Sequence, residues 1–150
     1  MKVGVLALQG DFAEHCHSLT QLGVEAIEVR LPEQLEDLDG LIIPGGESTT
    51  IGKLIDAYGF IDPLRIFAQT RGIWGTCAGA ILMAQDVGRE QVLLKVMDIR
   101  IARNAFGRQI DSFEIDLAVP FLQPPEPPYH AVFIRAPIIQ TVDGQAEVLL

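Results

Sequence analysis

Cysteine is scarce in this sequence: Cys16 and Cys77 are the only two in 150 residues. Two thiols do not make the framework of a disulfide-stapled secreted domain, and a reducing cytoplasm is the compartment they point to. Basic residues are also few, with 11 Lys and Arg against 20 Asp and Glu. The resulting net charge of −9 repels phosphate backbones and anionic lipid, which argues against nucleic acid or a membrane as partner. Long apolar runs are missing, since none approaches the roughly 20 residues that span a bilayer. The N-terminus has no basic segment leading into an apolar stretch and a cleavage site. Repeats and compositional breaks are absent, so residues 1–150 read as a single domain. The glycine fingerprint of dinucleotide sites does not follow the first apolar run. A phosphate-binding loop is mimicked by Gly45-Gly46-Glu-Ser-Thr-Thr-Ile-Gly52-Lys53, but Glu47 stands where its first glycine belongs and Leu54 where Ser or Thr is required. No cofactor is implied.

What is present is a globular composition, 49% hydrophobic and 21% charged, enough for a sizeable core at this length. Val3 to Leu8 is a short apolar run of the kind buried on both faces of a sheet. Asp11 with Glu14 resembles a capping box, and Phe12, Cys16, Leu19 and Leu22 then recur at helical spacing until Gly23. On that helix Cys16 fits the apolar face and His15 and His17 the surface, which argues against a metal tract. Val24 to Val29 alternates like a strand near a sheet edge. Leu41-Ile42-Ile43 is another buried strand, broken by Pro44-Gly45-Gly46-Glu47-Ser48. From Thr49, residues Ile51, Leu54, Ile55 and Tyr58 predict an amphipathic helix. Asp62-Pro63 predicts the N-cap and first turn of a further helix to about Thr70. Ile73-Trp74 then reads as the end of a buried central strand, and Ala80 to Ala84 as the start of a buried helix. Strand–helix alternation of this kind predicts an α/β fold, a mostly parallel central sheet with helices on both faces. Beyond Gln85 the pattern changes: Leu93–Ala102, Phe113–Val119 and Val132–Ile134 read as strands, and Val148-Leu149-Leu150 as one just begun. Five prolines in Pro120–Pro128 predict an irregular surface connection.

Three stretches carry chemistry. Gly75-Thr-Cys77-Ala-Gly79 has the spacing of a nucleophile elbow with sulfur in place of a hydroxyl. A nucleophile on a tight strand-to-helix turn needs small neighbours, and a helix N-terminus favours a thiolate and supplies N–H groups for an oxyanion. A buried structural thiol beside a glycine turn is the other reading of this pentapeptide. Gly45-Gly46-Glu47 follows a strand at the end of a parallel sheet where ligands collect, and Glu47 there suits an ammonium group; a simple tight turn is the alternative. Arg103 or Arg135 can hold a carboxylate in bidentate fashion, or be an ordinary surface charge.

Taken in order, Leu8-Gln9-Gly10, Pro44-Gly-Gly-Glu-Ser-Thr-Thr50, Gly75-Thr-Cys-Ala-Gly79, Arg103-Asn-Ala-Phe-Gly-Arg-Gln109 with Asp111-Ser-Phe-Glu114, and Phe133-Ile-Arg-Ala-Pro137 closely resemble one family. It is the glutaminase subunit of pyridoxal 5′-phosphate synthase, a class I (Cys-His-Glu) glutamine amidotransferase, whose fold is a flavodoxin-like three-layer sandwich. The resemblance implies that Cys77 attacks the side-chain amide of L-glutamine and that N–H groups of Gly46 and Ala78 form the oxyanion hole. It implies glutamine-binding positions at Gly46, Glu47, Ser48, Arg103, Ile134 and Arg135. It places Gln9 near the interface with a (β/α)8-barrel synthase partner that receives the ammonia. The family draws its base and orienting acid from a late His-x-Glu, and no such motif occurs up to Leu150. The expectation is thus a C-terminally incomplete amidotransferase domain, with a non-catalytic synthase-binding subunit as the alternative.

Overall fold

The computed structural model describes residues 1–102, 113–120, 122, 127–133 and 136–149. Its first half is a βα alternation: β1 (Lys2–Leu6), α1 (Phe12–Gln21), β2 (Glu25–Val29), a 3-10 turn at Pro32–Leu35, β3 (Gly40–Ile43), α2 (Ser48–Ala57), α3 (Ile61–Phe67), β4 (Gly72–Gly75) and α4 (Ala78–Met83). The four strands form one parallel sheet in the order β2-β1-β3-β4. Leu6, Val29, Leu41 and Ile43 share one buried cluster with Ile51, Ile55, Leu64 and Leu82 from the helices. Val5 and Ile42, neighbours in register, alternate onto the opposite face, and α1 packs on β1 and β2. This is the expected three-layer α/β architecture with a mostly parallel sheet. Full burial of each such side chain contributes about 1.5–3 kcal/mol, so this cluster dominates the fold.

Several element boundaries differ from the sequence reading. The edge position of β2 is as expected, but β4 is the other end strand of this sheet, not a central one. Trp74 at its end is 63% exposed instead of buried. Asp11 sits at the N-cap of α1, yet its side chain makes no capping hydrogen bond. Leu22 falls past the end of α1 and is 78% exposed, so it does not extend the apolar face. The N-cap of α3 is Phe60, and Asp62-Pro63 lie inside the first turn. α2 starts one residue earlier than expected, with Glu47 as its cap and Tyr58 exposed at its end.

The second half holds β5 (Ala84–Asp86), β6 (Met97–Ala102), β7 (Phe113–Leu117), β8 (Tyr129–Phe133) and β9 (Ile138–Val142). β6 pairs in parallel with β5 and antiparallel with β9, while β7 and β8 form a separate antiparallel ribbon. The strand expected from Leu93 starts only at Met97. Residues before it are diverted: Leu94 N donates to Leu82 O, Val96 N to Met83 O, and the Arg65 guanidinium to the carbonyls of Leu93 and Leu94. β9 escaped the sequence reading, and Val148-Leu149 are not in a strand. No helix among the described residues is long and apolar enough to cross a membrane.

Candidate active site

The carboxyl ends of β1, β3 and β4 bring three loops together, as parallel sheets do with their binding sites. The central one is the turn from β4 into α4. Thr76 N donates to Ile43 O at 3.1 Å, which carries the β3–β4 pairing into the turn. Cys77 follows as the N-cap of α4 with φ 47° and ψ −102°, a backbone conformation that non-glycine residues rarely adopt. Strain of that kind amounts to about 1–3 kcal/mol and persists where the surroundings over-determine it. Here Gly79 N donates to Thr76 O at 2.8 Å and Ile81 N to Cys77 O at 3.2 Å, closing the turn onto the helix. Gly79 must be glycine, because a Cβ there would lie 2.0 Å from Ile43 O. The spacing read from sequence is therefore a nucleophile elbow in geometry.

The two thiols differ in exposure and surroundings. Cys77 is exposed at its helix terminus, while Cys16 is half-buried on α1. Burial, and then the Glu28 carboxylate, push the Cys16 thiol up from its ordinary value. A raised thiol holds little of the nucleophilic thiolate. Ala78 is buried as part of the core, and its N–H is the first-turn donor beside the Cys77 thiol.

The second loop, Gly45-Gly46-Glu47, lies across from the elbow. A Cβ on Gly45 would stand 3.5 Å from Cys77 Cβ. Gly46 has φ +149°, and a Cβ there would meet both Gln9 Oε1 and Gly10 Cα at 3.0 Å, so a side chain is excluded on two counts. The third loop, after β1, grips the second: Asp11 N donates to Gly45 O at 3.1 Å, and Glu47 N to Gln9 Oε1 at 3.1 Å.

Glu47 is exposed and turned toward its own helix. Its carboxylate accepts from Thr49 N at 3.1 Å, Thr50 N at 2.7 Å and Thr50 Oγ1 at 2.8 Å. The Thr50 hydroxyl above all, then the backbone N–H groups, hold it down at about 2. A carboxylate so held is charged at neutral pH, as an ammonium partner requires. Ser48 is 2% exposed, and its hydroxyl has no hydrogen-bond partner among the described residues. Arg103, Ile134 and Arg135 lie outside the described residues.

His15, read from the sequence as a surface residue, is half-buried against the elbow. Its Nε2 lies 3.0 Å from Thr76 Oγ1, and its ring meets the Trp74 ring edge-on at 6.1 Å. The sequence places the start of α1 right after the β1 loop, but not which partner the His15 ring meets. The other two histidine rings are engaged elsewhere, His17 with Gln21 and His130 with Asp116 and Glu114. Among the described residues no group of His, Cys, Asp and Glu is arranged to hold a metal ion.

Residues 5–150 match the SNO glutamine amidotransferase family. The chain is 53% identical over 151 aligned positions to the pyridoxal 5′-phosphate synthase subunit PdxT of Moorella thermoacetica, covering 99% of this chain and 79% of the relative. It is 54% identical to the protein of that name from Pelotomaculum thermopropionicum, over 99% of this chain and 76% of the relative. A solved structure described as a glutamine amidotransferase superposes with a TM-score of 0.88 at 52% identity, covering 98% of this chain and 78% of that one. By sequence along nearly its whole length, and by an elbow that holds its one exposed thiol at a helix N-terminus, the chain belongs to the SNO glutamine amidotransferase family.

Proposed function

We propose that this chain hydrolyses L-glutamine to glutamate and ammonia and passes the ammonia to the (β/α)8-barrel subunit of pyridoxal 5′-phosphate synthase. The observation that carries this is Cys77, exposed on an elbow with φ 47° and facing the Gly45-Gly46 loop. The Cys77 thiolate adds to the side-chain amide carbon of glutamine, and the developing oxyanion is received by the N–H groups of Gly46 and Ala78. The C–N bond then breaks, the nitrogen takes up the proton equivalent that the thiol lost on ionising and leaves as ammonia, and a glutamyl thioester remains. Water attacks the thioester, releasing glutamate and returning the thiol. Glu47, charged at neutral pH, suits the α-ammonium of glutamine, with Gly46 and Ser48 bordering it and Arg103, Ile134 and Arg135 completing the pocket by family position. Gln9, whose amide oxygen is bonded to Glu47 N, stands where the family meets its synthase. The names of the relatives support the synthase as partner, and the cytoplasm remains the compartment expected from cysteine usage.

The test is glutamate release by the protein together with its synthase. Cys77→Ala lowers the rate by about 10⁴-fold or more, the scale seen when a covalent nucleophile is removed. Co-elution with the synthase without glutamate release would instead support a non-catalytic binding subunit. An active Cys77→Ala variant would end the proposal.

A further inference from the structure

Thr76, the residue before the nucleophile, is held from three directions. Its N–H is tied to β3 through Ile43 O, its carbonyl to α4 through Gly79 N, and its hydroxyl to α1 through His15. The first two bonds are backbone pairings inherent in the elbow. The third is a side-chain bond between residues 61 positions apart, and it enters from the layer that also carries Asp11 and Gln9 against the Gly45-Gly46 loop. The ring is aimed by its edge-on contact with Trp74, at an interplanar angle of 68°. Among the described residues β4 pairs with β3 alone, so no second ladder there clamps its end. The His15 bond therefore adds a side-chain tether from α1 to the two backbone bonds that hold Thr76.

We infer that His15 is a positioning residue for the elbow: through Thr76 it holds the turn from which Cys77 attacks. This rests on Cys77 being the nucleophile, as proposed above. His15 does not exchange a proton with substrate in this role. It removes freedom from the backbone that aims the thiol, and loss of such a constraint acts on the rate of attack more than on glutamine binding.

The experiment compares His15→Phe, which keeps a ring beside Trp74 but no hydrogen bond, with Thr76→Val, which removes the hydroxyl at nearly constant shape. Two readouts are taken: steady-state glutaminase with the synthase present, and the rate of Cys77 alkylation by iodoacetamide. Each variant should lower kcat about tenfold, the scale of one hydrogen bond in a constrained site, while KM for glutamine stays within about twofold. Alkylation should slow in parallel. The double variant should be no slower than either single one, because both remove the same bond. Thr76→Ser and His15→Gln, which restore a partner at that distance, should recover most of the rate. Wild-type kcat and alkylation in a folded Thr76→Val variant would overturn the inference, and so would multiplicative effects in the double variant. If His15→Phe does not fold, Thr76→Val and Thr76→Ser decide alone. Failure of the nucleophile assignment looks different: glutaminase then survives Cys77→Ala and full alkylation, whatever His15 carries.

Discussion

The parallel sheet and the β7–β8 ribbon are built from similar residues, yet they are held together differently. Both carry β-branched and aliphatic side chains, and the ribbon adds aromatic ones. In the sheet, Val5, Leu6, Leu41, Ile42 and Ile43 are all buried, because helices lie over both faces. In the ribbon, Phe113, Ile115, Tyr129 and Val132 stand exposed. What holds it is local: the stacked Phe113 and Phe133 rings at 4.7 Å, and His130 reaching Asp116 at 2.8 Å and Glu114 at 3.2 Å. A strand sequence therefore fixes which residues alternate, while the covering layer decides whether that alternation yields stability. The site loops grow from the covered region, where a strained turn such as that at Cys77 can be sustained.

The comparison is sharpened most by removing a core side chain. Phe60, fully buried between α2 and α3, should cost about 3–5 kcal/mol on truncation to Ala, read from urea unfolding. Ile115→Ala in the ribbon, at a residue already 46% exposed, should cost less than about 1 kcal/mol. Equal costs would break the contrast by showing that the ribbon is covered in solution.

A smaller effect belongs to the edge of the covered region. Glu47→Ala removes the cap of α2 and should lower stability by about 1 kcal/mol. Because the folded carboxyl is held at about 2, below its ordinary 4.5, its contribution is present above 4.5 and lost as pH falls through about 2. The melting temperatures of the wild type and Glu47→Gln should therefore converge on acidification, and a gap that stayed constant to pH 2 would contradict the cap. The smallest effect is in the ribbon. Hydrogen bonds donated to Asp116 and then Glu114 raise His130 above its ordinary 6.5, so their support is complete below 6.5 and fades as pH rises through the raised value. Hydrogen exchange of the ribbon amides, corrected for intrinsic rates, should speed up across that range relative to the sheet. His130→Ala should abolish the change.

The chain alone determined the parallel α/β class, the positions of β1, β2 and β3, and the elbow around Cys77. Each rests on local physics: apolar runs of strand length, alternation at a sheet edge, and small residues where a turn must be tight. It also specified the glycine loop after β3, since Pro44-Gly45-Gly46 cannot continue a strand. Other features were decided only by contacts between distant segments. Trp74 is exposed because no layer covers its side chain among the described residues, which no property of Ile73-Trp74 encodes. The delay of β6 to Met97 comes from Arg65, some thirty residues away, taking the carbonyls of Leu93 and Leu94. His15 reaches Thr76 across 61 positions. Periodicity records which face of an element is apolar, but it holds no information on which distant partner meets a polar side chain. That pairing is set when the layers close, and at this site it ties the turn that carries Cys77 to α1.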